Sequence, residues 1–252
     1  MKDLDQYAEL YTDKDHHYEI EHQLTFNWYV DRVVHFAPDG DLLELGIGYG
    51  ASTKKFSRAF RRHMVIEGSG AVIENFKRRH HPDKTEIVKA YFEEYDSEEK
   101  FDVIVMGFIL EHVDDPGEIL RRFRKFLRPN GRLFVAVPNA KSLHRRIGFA
   151  AGLLPDMYQL SEYDIAVGHK RYFDLESISA LIQQSGYRIT RTEGIFLKPM
   201  TTNQIKALNM SREVLRGMLE VGMEYPELSN AILIEAVLGR ERRRVQWVWK
   251  KK

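Results

Sequence analysis

Leu42-Leu43-Glu44-Leu45-Gly46-Ile47-Gly48-Tyr49-Gly50 is the stretch from which the fold is read. A short apolar run stops at three glycines spaced two apart, and a helix-compatible stretch from Ala51 to Phe60 follows. That order describes a buried parallel strand turning into a helix over a ligand. Glycines there permit positive φ and let the backbone approach the ligand closely. The helix N-terminus then offers its unpaired N–H groups to an anionic moiety. A ligand with a ribose and a carboxylate or phosphate is expected. Gly46, Gly48 and Ala51 also satisfy the dinucleotide fingerprint, so the turn alone does not choose between cofactors.

Working outward, His63-Met64-Val65-Ile66-Glu67-Gly68 reads as a second strand ending in an acid. An acid about 20 residues after the turn accepts hydrogen bonds from ribose hydroxyls, a feature nicotinamide and adenosyl cofactors share. Further on come Phe101-Asp102-Val103-Ile104-Val105, then Leu110-Glu111-His112-Val113-Asp114-Asp115-Pro116, a helix, and Leu127-Arg128-Pro129-Asn130-Gly131-Arg132-Leu133. Taken in order, these motifs resemble the class I S-adenosylmethionine-dependent methyltransferases. The likeness is nearest to the small-molecule branch that includes ubiquinone-type and sugar O-methyltransferases, and it covers roughly residues 40–190.

The resemblance implies a Rossmann-like α/β fold. A seven-stranded, mostly parallel sheet with an antiparallel last strand carries helices on both faces, with lid insertions added. It implies S-adenosyl-L-methionine as cofactor. Gly46 and Gly48 would flank its methionine part, with Glu44 supporting the turn and Glu67 and Gly68 at the ribose. Tyr91 stands where relatives place an Asp near the adenine amine, and Phe92 is expected against the purine. Phe108 and Ile109 would line the cofactor channel, and Tyr11 or Tyr18 would close over the cofactor carboxylate from an N-terminal helix.

The chain has 252 residues, 43% hydrophobic and 30% charged, which suits one enlarged domain over 1–252. No apolar run reaches the ~20 residues of a membrane span. The absence of cysteine excludes disulfides and thiolate chemistry and fits a cytoplasmic protein. A formal net charge of +1 gives no reason to expect a nucleic-acid partner. The charge is uneven, because the tail over 240–252 (RERRRVQWVWKKK) is strongly basic and carries Trp247 and Trp249.

Alternating apolar runs and amphipathic stretches place strands near 41–46, 63–67, 85–90, 102–106, 132–138, 187–193 and 231–238. Helices are expected near 18–36, 50–60, 70–79, 116–127 and 174–185, with an N-terminal helical cap over 1–38. Ile119, Leu120, Phe123 and Leu127 recur at helical spacing and are expected to face the sheet. Two inserts, 139–173 and 194–230, exceed what such a core needs and are assigned to the lid and to acceptor recognition.

Methyl transfer to a hydroxyl needs alignment, exclusion of water and a proton acceptor. His112 and His169 are the candidate bases, with His112 preferred for its place at the crevice rim. Arg145, Arg146, Arg171 and Tyr172 are candidate substrate contacts, the arginine forks suiting an anionic small-molecule acceptor. No metal is expected: some quinone O-methyltransferases carry an extra acid three residues before the Glu of this motif, where Phe108 stands here. An amine acceptor, an NAD-dependent oxidoreductase and a non-catalytic cofactor-binding protein are the alternatives. Oligomeric state is left open, with a homodimer among the options.

Overall fold

The computed structural model describes residues 4–11, 19–37, 39–80 and 84–239, the side chains of 8–11 and 19–22 excepted. The basic tail and Tyr18 lie outside the described residues, as does the side chain of Tyr11. Among the described residues no helix is long and apolar enough to cross a membrane.

Seven strands form one sheet: β1 (Asp41–Leu45), β2 (Arg62–Glu67), β3 (Thr85–Lys89), β4 (Phe101–Gly107), β5 (Leu127–Pro138), β6 (Tyr187–Ile195) and β7 (Ala231–Leu238). Their order is β3-β2-β1-β4-β5-β7-β6. β7 runs antiparallel to both of its neighbours, and the pairs from β3 through to β5 are parallel. The expected sheet with an antiparallel last strand is what forms, and that strand is inserted between β5 and β6.

The helices are α1 (Glu19–Phe36), α2 (Ala51–Ala59), α3 (Gly70–Arg79), α4 (Pro116–Phe123), α5 (Leu143–Ala150), α6 (Glu162–Ala166), α7 (Leu175–Gln184), α8 (Thr202–Ala207) and α9 (Arg212–Gly222). Two-residue alternation along the strands builds a core on each face of the sheet. On one face Leu133, Val135 and Val137 of β5 meet Ile119, Leu120 and Phe123 of α4 and Ile178 and Ile182 of α7. On the other, Phe134 and Ala136 meet Tyr29, Val30 and Val33 of α1, Phe56 of α2 and Leu219 of α9. A bidentate pair, Arg32 to Glu193 at 2.8 Å on both arms, ties α1 to β6.

The helix expected over 116–127 is shorter than its periodicity suggests. Asp115 caps it by accepting the Glu118 N–H, Pro116 opens it, and after Phe123 the chain tightens into a 3-10 turn over Arg124–Phe126. Leu127 is buried as expected, but as the first residue of β5, paired with Phe101. Both inserts are structured. The first carries α5 and α6, the second α8 and α9; residues from both reach the cavity described below, and α9 itself packs on the sheet face.

Candidate functional site

A cavity of about 790 Å³ opens at the carboxyl ends of the strands. In open α/β sheets this is where the crevice lies. Its floor is the turn after β1. Gly46, Gly48 and Gly50 adopt φ of 77°, 51° and 80°, conformations that favour glycine. A Cβ on Gly46 would meet Ile109 at 2.7 Å and one on Gly50 would meet Phe76 at 2.5 Å, whereas at Gly48 it would meet nothing within 4 Å. Gly46 and Gly50 are thus fixed by packing, and Gly48 leaves its backbone bare toward the cavity. Glu44 does not border it. It is buried beneath the turn, its carboxylate 3.2 Å from His63 Nε2.

Glu67 ends β2 at the cavity edge. One carboxylate oxygen accepts the Ile47 N–H at 3.0 Å and the other the Ser69 N–H at 2.8 Å. Burial pushes its pKa up against these backbone bonds. A carboxylate has about four acceptor positions, and with the Gly68 N–H also supporting the charge at least one remains for a ribose hydroxyl. Gly68, Tyr91, Phe92, Phe108 and Ile109 also line the cavity. Phe108 holds a left-handed φ of 59°, and its ring packs on Phe26 and Tyr29 at centroid distances of 4.9 and 5.7 Å. The packing offsets a backbone strain of about 1–2 kcal/mol. The floor therefore fits an adenosyl group: a bare glycine backbone, an anchored acid with remaining acceptor capacity, and aromatic walls beyond it.

The opposite wall holds the titratable groups. His112 and His169 both line it, their rings edge to face at 4.7 Å. His169 Nδ1 lies 3.0 Å from Asp164 Oδ1. Asp164 in turn accepts from the Ser161 hydroxyl and the Tyr172 hydroxyl, at 2.6 and 3.0 Å. Burial lowers the His169 pKa, but Asp164 and the nearby charge of Glu111 outweigh it and the net shift is upward. Asp164 is held down at about 2 although burial opposes this, chiefly by His169 and Ser161. Burial, then the neighbouring His169, presses His112 down to about 3, so it stays neutral.

Glu111 joins these groups, although it is not among the site residues expected from sequence. Its side chain is fully buried on this wall, and neither carboxylate oxygen has a hydrogen-bond partner among the described residues. Burial raises its pKa to about 7 against the pull of His169. Glu111, His112 and His169 each bring a donor atom within 4.8 Å of the other two, a set of one carboxylate and two imidazoles that could hold a divalent ion.

The arginines behave differently from expectation. Arg145 lines the cavity but is spent on the insert itself: it donates to the Met157 carbonyl at 2.9 Å and the Gln159 carbonyl at 2.6 Å, and lies 4.3 Å over the Tyr172 ring. Arg146 and Arg171 do not border the cavity; they donate to the carbonyls of Lys141 and Asp114. The buried cation in the cavity is Lys198, only 4% exposed, donating to Thr202 Oγ1 at 3.0 Å. Beside it His144 is pressed down to about 2 by burial and by the charges of Lys198 and Arg145. Lys198 was missed, although a lone lysine inside Ile195-Phe196-Leu197-Lys198-Pro199-Met200 was a readable signal. From the N-terminus Leu4, Gln6 and Tyr7 reach the cavity, Tyr7 packing against Gly168.

The sheet order, the glycine turn and the acid at the end of β2 define a class I adenosylmethionine-binding methyltransferase fold. The comparisons agree. A family model described as a methyltransferase domain matches residues 15–192, and the chain belongs to that family. Its cofactor is S-adenosylmethionine. The ubiquinone/menaquinone biosynthesis C-methyltransferase of Vibrio parahaemolyticus is 28% identical over 172 residues, 61% of this chain and 66% of that protein. The ubiquinone biosynthesis O-methyltransferase of Rhodopseudomonas palustris is 32% identical over 102 residues, 39% of this chain and 40% of that one. The matched stretches thus span less than two thirds of these relatives. The N-methyltransferase NodS of Bradyrhizobium japonicum WM9, solved with S-adenosyl-L-homocysteine, superposes with a TM-score of 0.57 at 13% identity, over 94% of this chain and 99% of that one. That likeness is one of fold.

Proposed function

We propose that this protein transfers a methyl group to a hydroxyl of a small-molecule acceptor, with His169 taking the proton. Bound S-adenosylmethionine supplies an electrophilic methyl on a sulfonium. Glu67 receives the ribose hydroxyls, Gly48 gives the backbone room to approach, and Phe92 packs beside the base. The acceptor lies between this floor and the histidine wall. Because Nδ1 of His169 faces Asp164, Nε2 is the atom left to accept the hydroxyl proton, and Asp164 stabilises the imidazolium that results. His112, favoured from sequence, becomes the neutral wall against which His169 is packed. Lys198 meets a polar or anionic group of the acceptor.

The observation that carries this reading is the His169–Asp164 pair, 3.0 Å apart, on the wall of the cavity that also holds Gly48 and Glu67. The test is release of S-adenosylhomocysteine with matched phenol and amine acceptors of one skeleton. The phenol is expected to turn over. In H169N its rate falls about 100-fold while S-adenosylhomocysteine still binds. Turnover of the amine alone would sink the hydroxyl reading.

A second reading has its own support. The buried Glu111 carboxylate, with neither oxygen hydrogen-bonded among the described residues, suits an amine acceptor, because it would offset the positive charge the nitrogen gains as the methyl is transferred. NodS is an N-methyltransferase of the same fold. Under that reading E111Q loses the activity and H169N keeps most of it, because a neutral amine attacks without a strong base.

A further inference from the structure

The cavity is divided by charge along the sheet. Its acids come from the ends of β2, β3 and β4 and from the histidine wall: Glu67, Glu93, Glu111, Asp114 and Asp164, with Lys170 paired to Asp114 at 2.5 Å. The lining supplied by 138–154, 198–204 and 230–231 holds no acid among the described residues and two cations, Arg145 and Lys198. Arg145 spends its N–H groups on the carbonyls of Met157 and Gln159, which leave its charge in place. Lys198 brings the ammonium itself to this end of the cavity.

A rigid piece of chain sets it there. β7 runs antiparallel to both β5 and β6, so β6 points its carboxyl end at the cavity as β5 does. Phe196, one residue beyond β6, is buried at a left-handed φ of 62°. A bulky residue keeps that conformation only where its surroundings hold it. Here the Asn230 N–H donates to the Phe196 carbonyl at 2.9 Å, and the Leu197 N–H donates to the Met218 carbonyl at 2.9 Å. The segment is thereby pinned to the entry of β7 and to α9. It delivers Lys198 into the buried corner, with Nζ on the hydroxyl of Thr202, itself 4% exposed. Burying an ammonium is costly, and a hydroxyl brings no opposite charge to it. After burial itself, the Lys198 charge does most to press His144 down, so it is felt across this end of the cavity.

We infer that Lys198 binds a carboxylate of the acceptor, at the end remote from the hydroxyl that is methylated, so that the acceptor is a hydroxy acid. The distance between the two ends follows from the sheet order. The Lys170 N–H donates to the Glu111 carbonyl at 2.9 Å, which fixes the histidine wall beside the end of β4, and β5 and β7 lie between β4 and β6. One ammonium balances one negative charge. A phosphate monoester carries nearly two at neutral pH and would leave part of its charge uncompensated in a buried corner. The inference rests on the reading of this cavity as the acceptor site of a hydroxyl methyltransferase.

The test is titration calorimetry of the full chain, saturated with S-adenosylhomocysteine, against para-hydroxyphenylpropanoate, para-hydroxyphenylpentanoate and the primary amide of each. At least one acid is expected to bind about 30-fold more tightly than its amide. In K198M that preference should vanish, while S-adenosylhomocysteine affinity and the thermal midpoint stay nearly unchanged. K198R keeps the charge and should keep part of the preference. The acid-to-amide ratio of the unaltered chain decides the matter even if K198M does not fold. No acid bound, acid and amide bound equally, a preference that survives in K198M, or tighter binding of the matching phosphonate would each overturn the inference. Methyl transfer is scored separately with S-adenosylmethionine: an acid that binds through Lys198 but is not methylated would sink the hydroxyl reading and leave the carboxylate site standing.

Discussion

Gly48 and Gly50 look alike in sequence and differ in what a methyl group would do to them. Gly50 sits at φ 80° against Phe76, a ring 1% exposed that has no room to yield. Gly50→Ala is expected to combine backbone strain with overpacking, about 2–4 kcal/mol in all. Differential scanning calorimetry should show that as a fall in melting temperature of about 5–15 °C. Gly48 has open space before it, so Gly48→Ala costs about 1 kcal/mol of strain, and its methyl enters the cofactor cavity. There the expected loss is in S-adenosylhomocysteine affinity, tenfold or more by titration calorimetry. Equal effects on affinity from both variants would remove the distinction. At the same scale, His169, the proposed base, is expected to set the pH profile. As the base it works neutral, so kcat/KM should rise with pH through a value above the ordinary 6.5 of histidine. Asp164→Asn removes the carboxylate that raises this pKa, so the limb should move to lower pH while the plateau drops. A limb that stays in place would show that Asp164 does not act on the base.

Among the elements, the strands were legible because buried parallel strands read as apolar runs, and the glycine turn and the acid after β2 are local patterns. Leu127 shows the limit of periodicity: a buried leucine one turn past Phe123 fits a helix and a strand equally, and pairing with Phe101 chose the strand. The acceptor side was much less legible. Asp164, Lys198 and Tyr7 come from three distant segments and meet only through tertiary packing, while Arg145, whose charge suggested a ligand, serves as a strut. It bonds the carbonyls of Met157 and Gln159 and stacks on Tyr172, fixing the loop between α5 and α6. Lysine has no planar fork to reach these partners together. Arg145→Lys should therefore raise the acceptor KM about tenfold, the loss of roughly 1.4 kcal/mol of positioning, with cofactor affinity nearly unchanged. Steady-state kinetics with titration calorimetry decide it, and an equal loss of cofactor affinity would refute the strut.

For the whole molecule, the buried titratable groups around the cavity set the dependence of stability on pH. His112 and His144 have folded pKa values pressed down to about 3 and 2, first by burial. Depressed histidines stabilise the fold above their unfolded value near 6.5 and lose that contribution as pH falls. Glu111 works the other way. Burial raises it to about 7, so its contribution is intact below about 4.5 and is lost as pH rises through 7. His169, also raised, adds to the loss on the alkaline side. Between roughly pH 4.5 and 6.5 the unfolded chain binds two more protons on the histidines and the folded chain one more on Glu111. The net difference is one proton, so stability should fall by about 1.4 kcal/mol per pH unit on acidification. Above about pH 7 the sign reverses, which places the maximum near neutrality. Urea unfolding from pH 4.5 to 8 measures the curve. Glu111→Gln is expected to double the acid slope to about 2.7 kcal/mol per unit and to shrink the alkaline decline to the part due to His169. His144→Gln should flatten the acid side. A wild-type profile flat across this range would mean that these groups keep their ordinary protonation in the fold, and the acid–base reading of the cavity wall would fall with it.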